Sequence, residues 1–452
     1  MEQQQLNGAL NGTFLKFPEG FLWGTATSTT QIEGHISNEW TDFVARDGNT
    51  CGIACDSYHR YVEDIEWMRQ LAVNAYRTGI EWSRLQSRAY GPLNQAELAR
   101  YIDQLDRLNA AGIVPMVVLH HFSNPPWINS IGGWTNRQTI DAFVDYVGKL
   151  VPALRGHVRI WNTFNEPDTY GCCAYVIGEF PPLARGRLGA FRTVVRNMGE
   201  AHRRVCRVIR EAGSTLGPVE VGFSKNWTYF KAHSRYSAWD ATMAACVHSQ
   251  FNDFVLESFV GGPAQGAATF LGVNYYGRIR FHHFKPLLPT CGFSREQLFA
   301  RGIECDDMLE RHPAGLESAL LRMYATCRLP IYLTEHGSSS TDEAFRTRDL
   351  RENLKALHRA LSRGVDIRGF YYWSLLDNFE WQFGYSKKFG LLSVDFNNDS
   401  RPRAWKPLAQ VYRRICRENS LPANEETGAS PPPSPESLGP NLPAQKSATP
   451  CA

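Results

Sequence analysis

Residues 158–170 read VRIWNTFNEPDTY. The stretch begins as an apolar run with the look of a buried strand and closes on Asn165, Glu166 and Pro167. A carboxylate at the end of a buried strand costs desolvation free energy unless a partner or a reaction uses it. Short β-branched and aromatic runs recur on both sides of this one, at FLWGTA (21–26), NAYRTGIEW (74–82), VPMVVLHHF (114–122), VEVGFS (219–224), TFLGVNYYG (269–277), PIYLTEHG (330–337) and IRGFYYWSLL (367–376), which with 158–166 makes eight. Between most of them lie patterns with apolar residues three to four apart, such as YHRYVEDIEWMRQLA (58–72), NQAELARYIDQLDRLNAAG (94–112) and TRDLRENLKALHRALSRG (347–364). Eight strands alternating with helices predict one α/β domain, a single (β/α)8 TIM barrel with long βα loops.

The expected domain spans residues 15–419, preceded by a flexible N-terminus at 1–14 and followed by a disordered, Pro/Ser-rich tail at 420–452. From Ser420 onward the chain has eight prolines and no aromatic residue, a composition that buries too little surface to offset its ordering entropy.

Composition limits the partners. Hydrophobic residues make up 43% of the 452 and charged residues 21%, enough for a sizeable core, and no apolar run approaches the roughly 20 residues of a membrane span. The net charge of +3 arises from signs mixed along the whole chain, so nucleic acid is excluded as a natural partner. The stretch MEQQQLNGALNGTF lacks the basic and apolar regions of a secretory signal, and a cytoplasmic location is the expectation. Eleven cysteines without a CxxC pair suit reduced, structural thiols. The His pairs at 120–121 and 282–283 raise zinc as an alternative, but no third ligand stands at a suitable spacing, so no metal and no cofactor is expected.

In a (β/α)8 barrel, functional residues sit at the C-terminal ends of the strands. Those ends carry Gln31 with Glu33, Arg77, His120 with His121, Asn165 with Glu166, Asn274 with Tyr275 and Tyr276, Glu335 with His336, and Trp373. Each alone has a structural explanation; their joint occurrence at strand ends points to a site. Glu166 and Glu335 close the fourth and seventh runs, which face each other across a closed eight-stranded barrel. Two carboxyl groups about 5 to 5.5 Å apart suit a retaining glycosidase, in which one attacks the anomeric carbon and the other protonates the leaving oxygen.

The blocks FPEGFLWGTATSTTQIEG, YRTGIEWSRL, WNTFNEP, LGVNYYG, PIYLTEHG and WSLLDNFEWQFGYSKKFG, in this order from about Phe17 to Cys416, resemble glycoside hydrolase family 1, the retaining β-glucosidase and β-galactosidase family. The resemblance implies Glu166 as general acid/base and Glu335 as nucleophile, with Arg77, Asn165, Asn274 and Tyr276 in support. It implies Gln31, His121, Trp373, Glu380, Trp381 and Phe389 as substrate-binding residues. The activity implied is hydrolysis of terminal β-D-glucosides, with β-galactosides and β-fucosides as related substrates, through a covalent glycosyl-enzyme. Glu380 speaks against 6-phosphosugars, because a phosphate dianion beside a carboxylate is repelled; Lys387 in the same block is also compatible with unphosphorylated sugar.

Three positions depart from the family's pattern. TEHG stands where TENG is usual, so that His336 either tunes Glu335 or faces outward; Phe122 occupies the place of an indole; and NEPD in place of NEPW is expected to alter the leaving-group side through Asp168. The HHxxxPPW and FNEPDTY stretches resemble the family's divergent galactolipid galactosyltransferases, leaving transfer to a sugar or lipid hydroxyl as an alternative. A catalytically silent carbohydrate-binding barrel is a third reading. The preferred glycone, the natural aglycone and the oligomeric state are open at this level.

Overall fold

A computed structural model describes residues 14–262, 266–281, 300, 302–306 and 308–424. Eight parallel strands close into a barrel: β1 (Leu22–Ala26), β2 (Ala75–Gly79), β3 (Val114–Val118), β4 (Ile160–Asn165), β5 (Glu220–Asn226), β6 (Leu271–Asn274), β7 (Ile331–His336) and β8 (Ile367–Trp373). Each pairs with the next in chain order and β8 returns to β1. Seven lie within the apolar runs read from the sequence, and β5 extends two residues past its run, to Asn226. The helices packed outside include α1 (Ser57–Gln70), α2 (Gln95–Ala110), α3 (Gln138–Leu154), α4 (Leu188–Ala212), α5 (Phe254–Val260), α6 (Pro313–Cys327), α7 (Glu343–Ser362) and α8 (Pro407–Glu418).

Local chemistry explains the helix starts. The Asn94 side chain accepts from the Ala96 and Glu97 amides and begins α2, and Asp342 does the same for α7 with Ala344 and Phe345. The α7 cap lies five residues before the start of the sequence pattern at 347, because a cap acts by hydrogen bonding and leaves no apolar period to read.

Strand alternation divides the interior into two cores. Met116, Ile160, Phe270, Tyr332 and Tyr371 fill the lumen, while Tyr76, Val117, Trp161, Val221, Val273, Leu333 and Phe370 pack between barrel and helices. Gly24 on β1 makes room for the lumenal Tyr371, whose ring would lie 2.4 Å from a Cβ placed there. Above the apolar layer the lumen turns polar, and that change of character creates the site.

Two boundaries differ from expectation. Phe14–Lys16 and Ser420–Pro422 form an antiparallel ribbon, Leu15 opposite Leu421, so the folded body extends past residue 419 and the terminal strands tie each other down. Leu421 is fully buried there, a single apolar anchor within a stretch whose average composition is that of a tail. Residues 1–13 and 425–452 lie outside the described residues, as do His282 and His283. Among the described residues, no helix is long and apolar enough to cross a membrane.

Candidate active site

Glu335 points into the lumen from β7 and is met by two donors. Arg77 Nη1 on β2 lies 2.5 Å from Oε1, and the Tyr276 hydroxyl, just beyond β6, lies 2.5 Å from Oε2. Burial raises the proton affinity of this carboxyl, and Arg77 and Tyr276 oppose that rise by stabilising the anion.

Glu166 ends β4 in the left-handed region, φ 41° and ψ 64°, where its amide bonds to the Ser224 carbonyl of β5 at 2.8 Å. Pro167 then opens the short helix Pro167–Cys172, its fixed φ and missing amide hydrogen suiting a first helical position. The Glu166 carboxyl accepts from Asn274 Nδ2 at 2.6 Å and from Asn226 Nδ2 at 3.1 Å. Among the described residues, no cation forms an ion pair with it. Burial first, and then the charges of Glu335 and Asp168, push it up to about 8. The Asn274 amide donates to Glu166 and also helps to stabilise the Glu335 anion, so both acids lie within reach of one side chain.

Asn165 is held by its neighbours. Its Oδ1 accepts from Arg77 Nη2 at 2.6 Å and Asn274 Nδ2 at 3.0 Å, which turns Nδ2 toward His121 Nε2, 3.0 Å away. With Nε2 accepting, the proton of a neutral His121 ring sits on Nδ1, which is buried without a partner among the described residues; burial and the nearby Arg77 keep the ring neutral. The His121 ring lies parallel to Trp373 and Trp381, with centroids 5.8 and 6.0 Å away. Gln31 Nε2 donates to Glu380 Oε2 at 3.2 Å and to Asn378 at 2.9 Å. Burial and the charge of Glu335 push Glu380 up to about 8. Phe389 is buried beside Tyr276, with ring centroids 6.0 Å apart.

The twelve residues singled out from sequence are therefore joined by one continuous network of hydrogen bonds and ring contacts. Gly337 permits this closeness, since a Cβ there would lie 1.9 Å from the Trp373 carbonyl oxygen. Other strand-end residues face elsewhere. Glu33 pairs with Arg84 at 2.9 Å, His120 bonds to Asn124 and Trp134, and the Tyr275 hydroxyl bonds to the His312 carbonyl. Phe122 packs against Trp381 and Phe180.

Two readings of the departures are resolved. His336 faces outward, Nδ1 bonded to the Tyr275 carbonyl at 2.8 Å and Nε2 3.3 Å from Asp349 of α7, because β7 shifts register after Leu333 and so turns Glu335 into the lumen and His336 out of it. Asp168 does not line the leaving-group side: it is wholly buried against Lys225, because the first helical turn rotates it behind the strand end. Lys387 stacks over the Phe383 ring. Sequence reading missed Ser224, Lys225 and Asn226, the polar end of β5. The SKN that follows VEVGF was a signal of the same kind as those recognised at the other strands. Ser224 takes part in the Arg77 network at 3.3 Å and bonds to Thr334 at 2.9 Å.

The profile of Glycosyl hydrolase family 1 matches residues 14–264 and 262–421. The chain belongs to this family. β-Glucosidase A of Thermotoga maritima is 31% identical over 90% of this chain and 99% of its own length. A bifunctional β-D-glucosidase/β-D-fucosidase of Bifidobacterium breve is 31% identical over 89% and 99%. Among solved structures, the Thermotoga maritima β-glucosidase in complex with deoxynojirimycin superposes with a TM-score of 0.80 at 28% identity, covering 90% of this chain and all of that one. The family 1 chain is thus a retaining O-glycoside hydrolase on a TIM barrel, and its paired carboxylates stand at the C-terminal mouth where that fold places its chemistry.

Proposed function

We propose that this family 1 enzyme hydrolyses terminal β-D-glucosides, with Glu335 as nucleophile and Glu166 as acid/base. The observation that carries the assignment is the asymmetry of the two acids: Glu335 has a guanidinium and a phenol, and Glu166 has neutral amides and the Thr169 hydroxyl. The carboxyl beside the cation stays ionised and attacks C1; the one without a cation keeps its proton and delivers it to the leaving oxygen as the C1–O bond breaks. Once Glu335 is esterified its charge is gone, Glu166 loses one cause of its raised affinity, and it can then take a proton from water. That water attacks C1 and frees Glu335, so two inversions give net retention.

The glycone reading rests on neutral groups suited to hydroxyls. The unpartnered Nδ1 of His121, the Gln31 amide and the Glu380 carboxyl are hydrogen-bond partners, and Trp373 offers an indole face to sugar C–H groups. Asn165, held between Arg77 and His121, is placed for the sugar 2-hydroxyl, a contact that strengthens as oxocarbenium character grows. The β-glucosidase names of the similar proteins support glucose as the glycone. A panel of aryl glucoside, galactoside, fucoside, mannoside and 6-phosphoglucoside tests this. The glucoside or fucoside is expected to lead, with the 6-phosphoglucoside at least about 100-fold slower because of Glu380; a faster 6-phosphoglucoside would refute the glycone assignment.

Tyr276→Phe removes one donor from Glu335. With the anion less stabilised, its proton affinity rises, so the acid limb of kcat/KM moves to higher pH and kcat falls about 10- to 100-fold. An unmoved acid limb in the variant's pH profile would detach Tyr276 from the nucleophile.

A further inference from the structure

Lys225 of β5 and Asp168 form an ion pair, Nζ to Oδ2 at 2.7 Å, with both side chains inaccessible to solvent. Two charges taken out of water are stabilising only with good geometry and additional hydrogen bonds, and apolar side chains of similar volume often serve as well or better. The additional bonds are present: Lys225 donates to Asn252 Oδ1 at 3.1 Å and to the Asn226 carbonyl, and Asp168 Oδ1 accepts the Thr169 amide at 2.7 Å. Packing alone does not call for such a pair; its position does. Only Pro167 separates Asp168 from Glu166, and Asn226, next to Lys225, donates to both Glu166 Oε2 and Thr169 Oγ1 at 3.1 and 3.0 Å. The left-handed backbone of Glu166 is disfavoured for a residue with a Cβ and persists only where its surroundings hold it.

We propose that the Asp168–Lys225 pair is a positioning element for Glu166, clamping the turn that carries the acid/base onto β5 and setting, through the balance of its two charges, how firmly Glu166 holds its proton. The inference rests on the assignment of Glu166 above. The Asp168 charge favours the protonated form of Glu166, and Lys225 offsets it. Other groups facing Glu166 are Glu335 with Arg77 and Tyr276 behind it, His121 across Asn165, and Cys173; Cys172 faces Asp168, and Asp253 and His248 face Lys225. All are retained in the variants below, so a difference from the parent isolates the pair.

The test compares phenyl β-glucoside, whose leaving group needs a proton, with 2,4-dinitrophenyl β-glucoside, whose leaving group does not. In Asp168→Asn, Lys225 is left unopposed, Glu166 releases its proton more readily, and the alkaline limb of kcat/KM moves down by about one pH unit. The phenyl glucoside loses about tenfold in kcat/KM while the dinitrophenyl glucoside loses less than about threefold. In Asp168→Asn/Lys225→Met the stray cation is gone and the limb moves most of the way back, whereas the selective loss on phenyl glucoside persists because the clamp is absent. An unmoved limb in Asp168→Asn, or equal losses on both substrates in either variant, overturns the inference. The double variant replaces the pair by neutral groups, an exchange buried pairs tolerate, so the selectivity readout stands even where the single variant folds poorly. Glu166→Gln is the control: lack of leaving-group selectivity there defeats the assignment of Glu166 and this inference with it, whereas a normal control with an unmoved limb defeats the inference alone.

Discussion

Replacing Glu335 with alanine lowers kcat for an aryl β-glucoside by about 10⁴-fold or more, and added azide restores turnover with the α-glucosyl azide as product. The variant removes the group that attacks C1 and leaves a gap beneath the sugar that a small anion can enter. Glu166 remains able to protonate the leaving group, so one inversion occurs where two did before, and the configuration of the azide reports that single step. Recovery of β-azide, or retention of activity within an order of magnitude of the parent enzyme, would remove Glu335 from the nucleophile's position. The same substitution leaves Arg77, fully buried, without its carboxylate partner. Breaking a buried pair from one side costs about 3 to 5 kcal/mol, so thermal unfolding of Glu335→Ala is expected at lower temperature than that of Glu335→Gln, which keeps an oxygen for the guanidinium.

Replacing Glu166 produces a different pattern. In Glu166→Gln, kcat/KM for a poor leaving group such as phenol falls about 10³-fold, the usual worth of a positioned general acid. That for 2,4-dinitrophenol changes little. The glycosyl-enzyme then accumulates, because no base activates water, and azide intercepts it with net retention to give the β-azide. In the parent enzyme, Glu166 acts while protonated and its carboxyl is pushed up to about 8, so kcat/KM is sustained below that pH and declines above it. In the variant this alkaline limb disappears. Persistence of the limb, measured with the phenyl glucoside, would mean that another group delivers the proton.

Both experiments depend on an electrostatic difference between two glutamates that look alike in the sequence. Each closes an apolar run, each is flanked by residues that suit a sugar, and the resemblance to family 1 is what separated their roles. In the folded chain the separation has a physical basis, since Arg77 pairs with Glu335 and, among the described residues, no cation pairs with Glu166. A register shift in β7 after Leu333 and the helical turn after Pro167 account for the positions that the sequence left undecided. His336 lies beside Glu335 in the chain and on the other side of the wall in space, where it bonds to Tyr275 and approaches Asp349. Asp168 was expected on the leaving-group side because NEPD stands where NEPW is usual in the family, yet the helical turn after Pro167 carries it behind the strand to Lys225. The polar end of β5 went unread because serine, lysine and asparagine after a strand also describe an ordinary loop.

From the sequence by itself came the eight strand runs and the barrel they imply, because side-chain periodicity and the change from apolar to polar at each strand end are local properties written along the chain; the roles of the site residues came from the resemblance to family 1. Tertiary structure alone decided which face each residue took, which carboxyl received the guanidinium, the buried Asp168–Lys225 pair and the ribbon that joins residues 14–16 to 420–422. Those outcomes depend on groups far apart in the chain, Arg77 and Glu335 being 258 positions from each other. Their meeting is fixed by barrel closure and strand register, which no local pattern encodes.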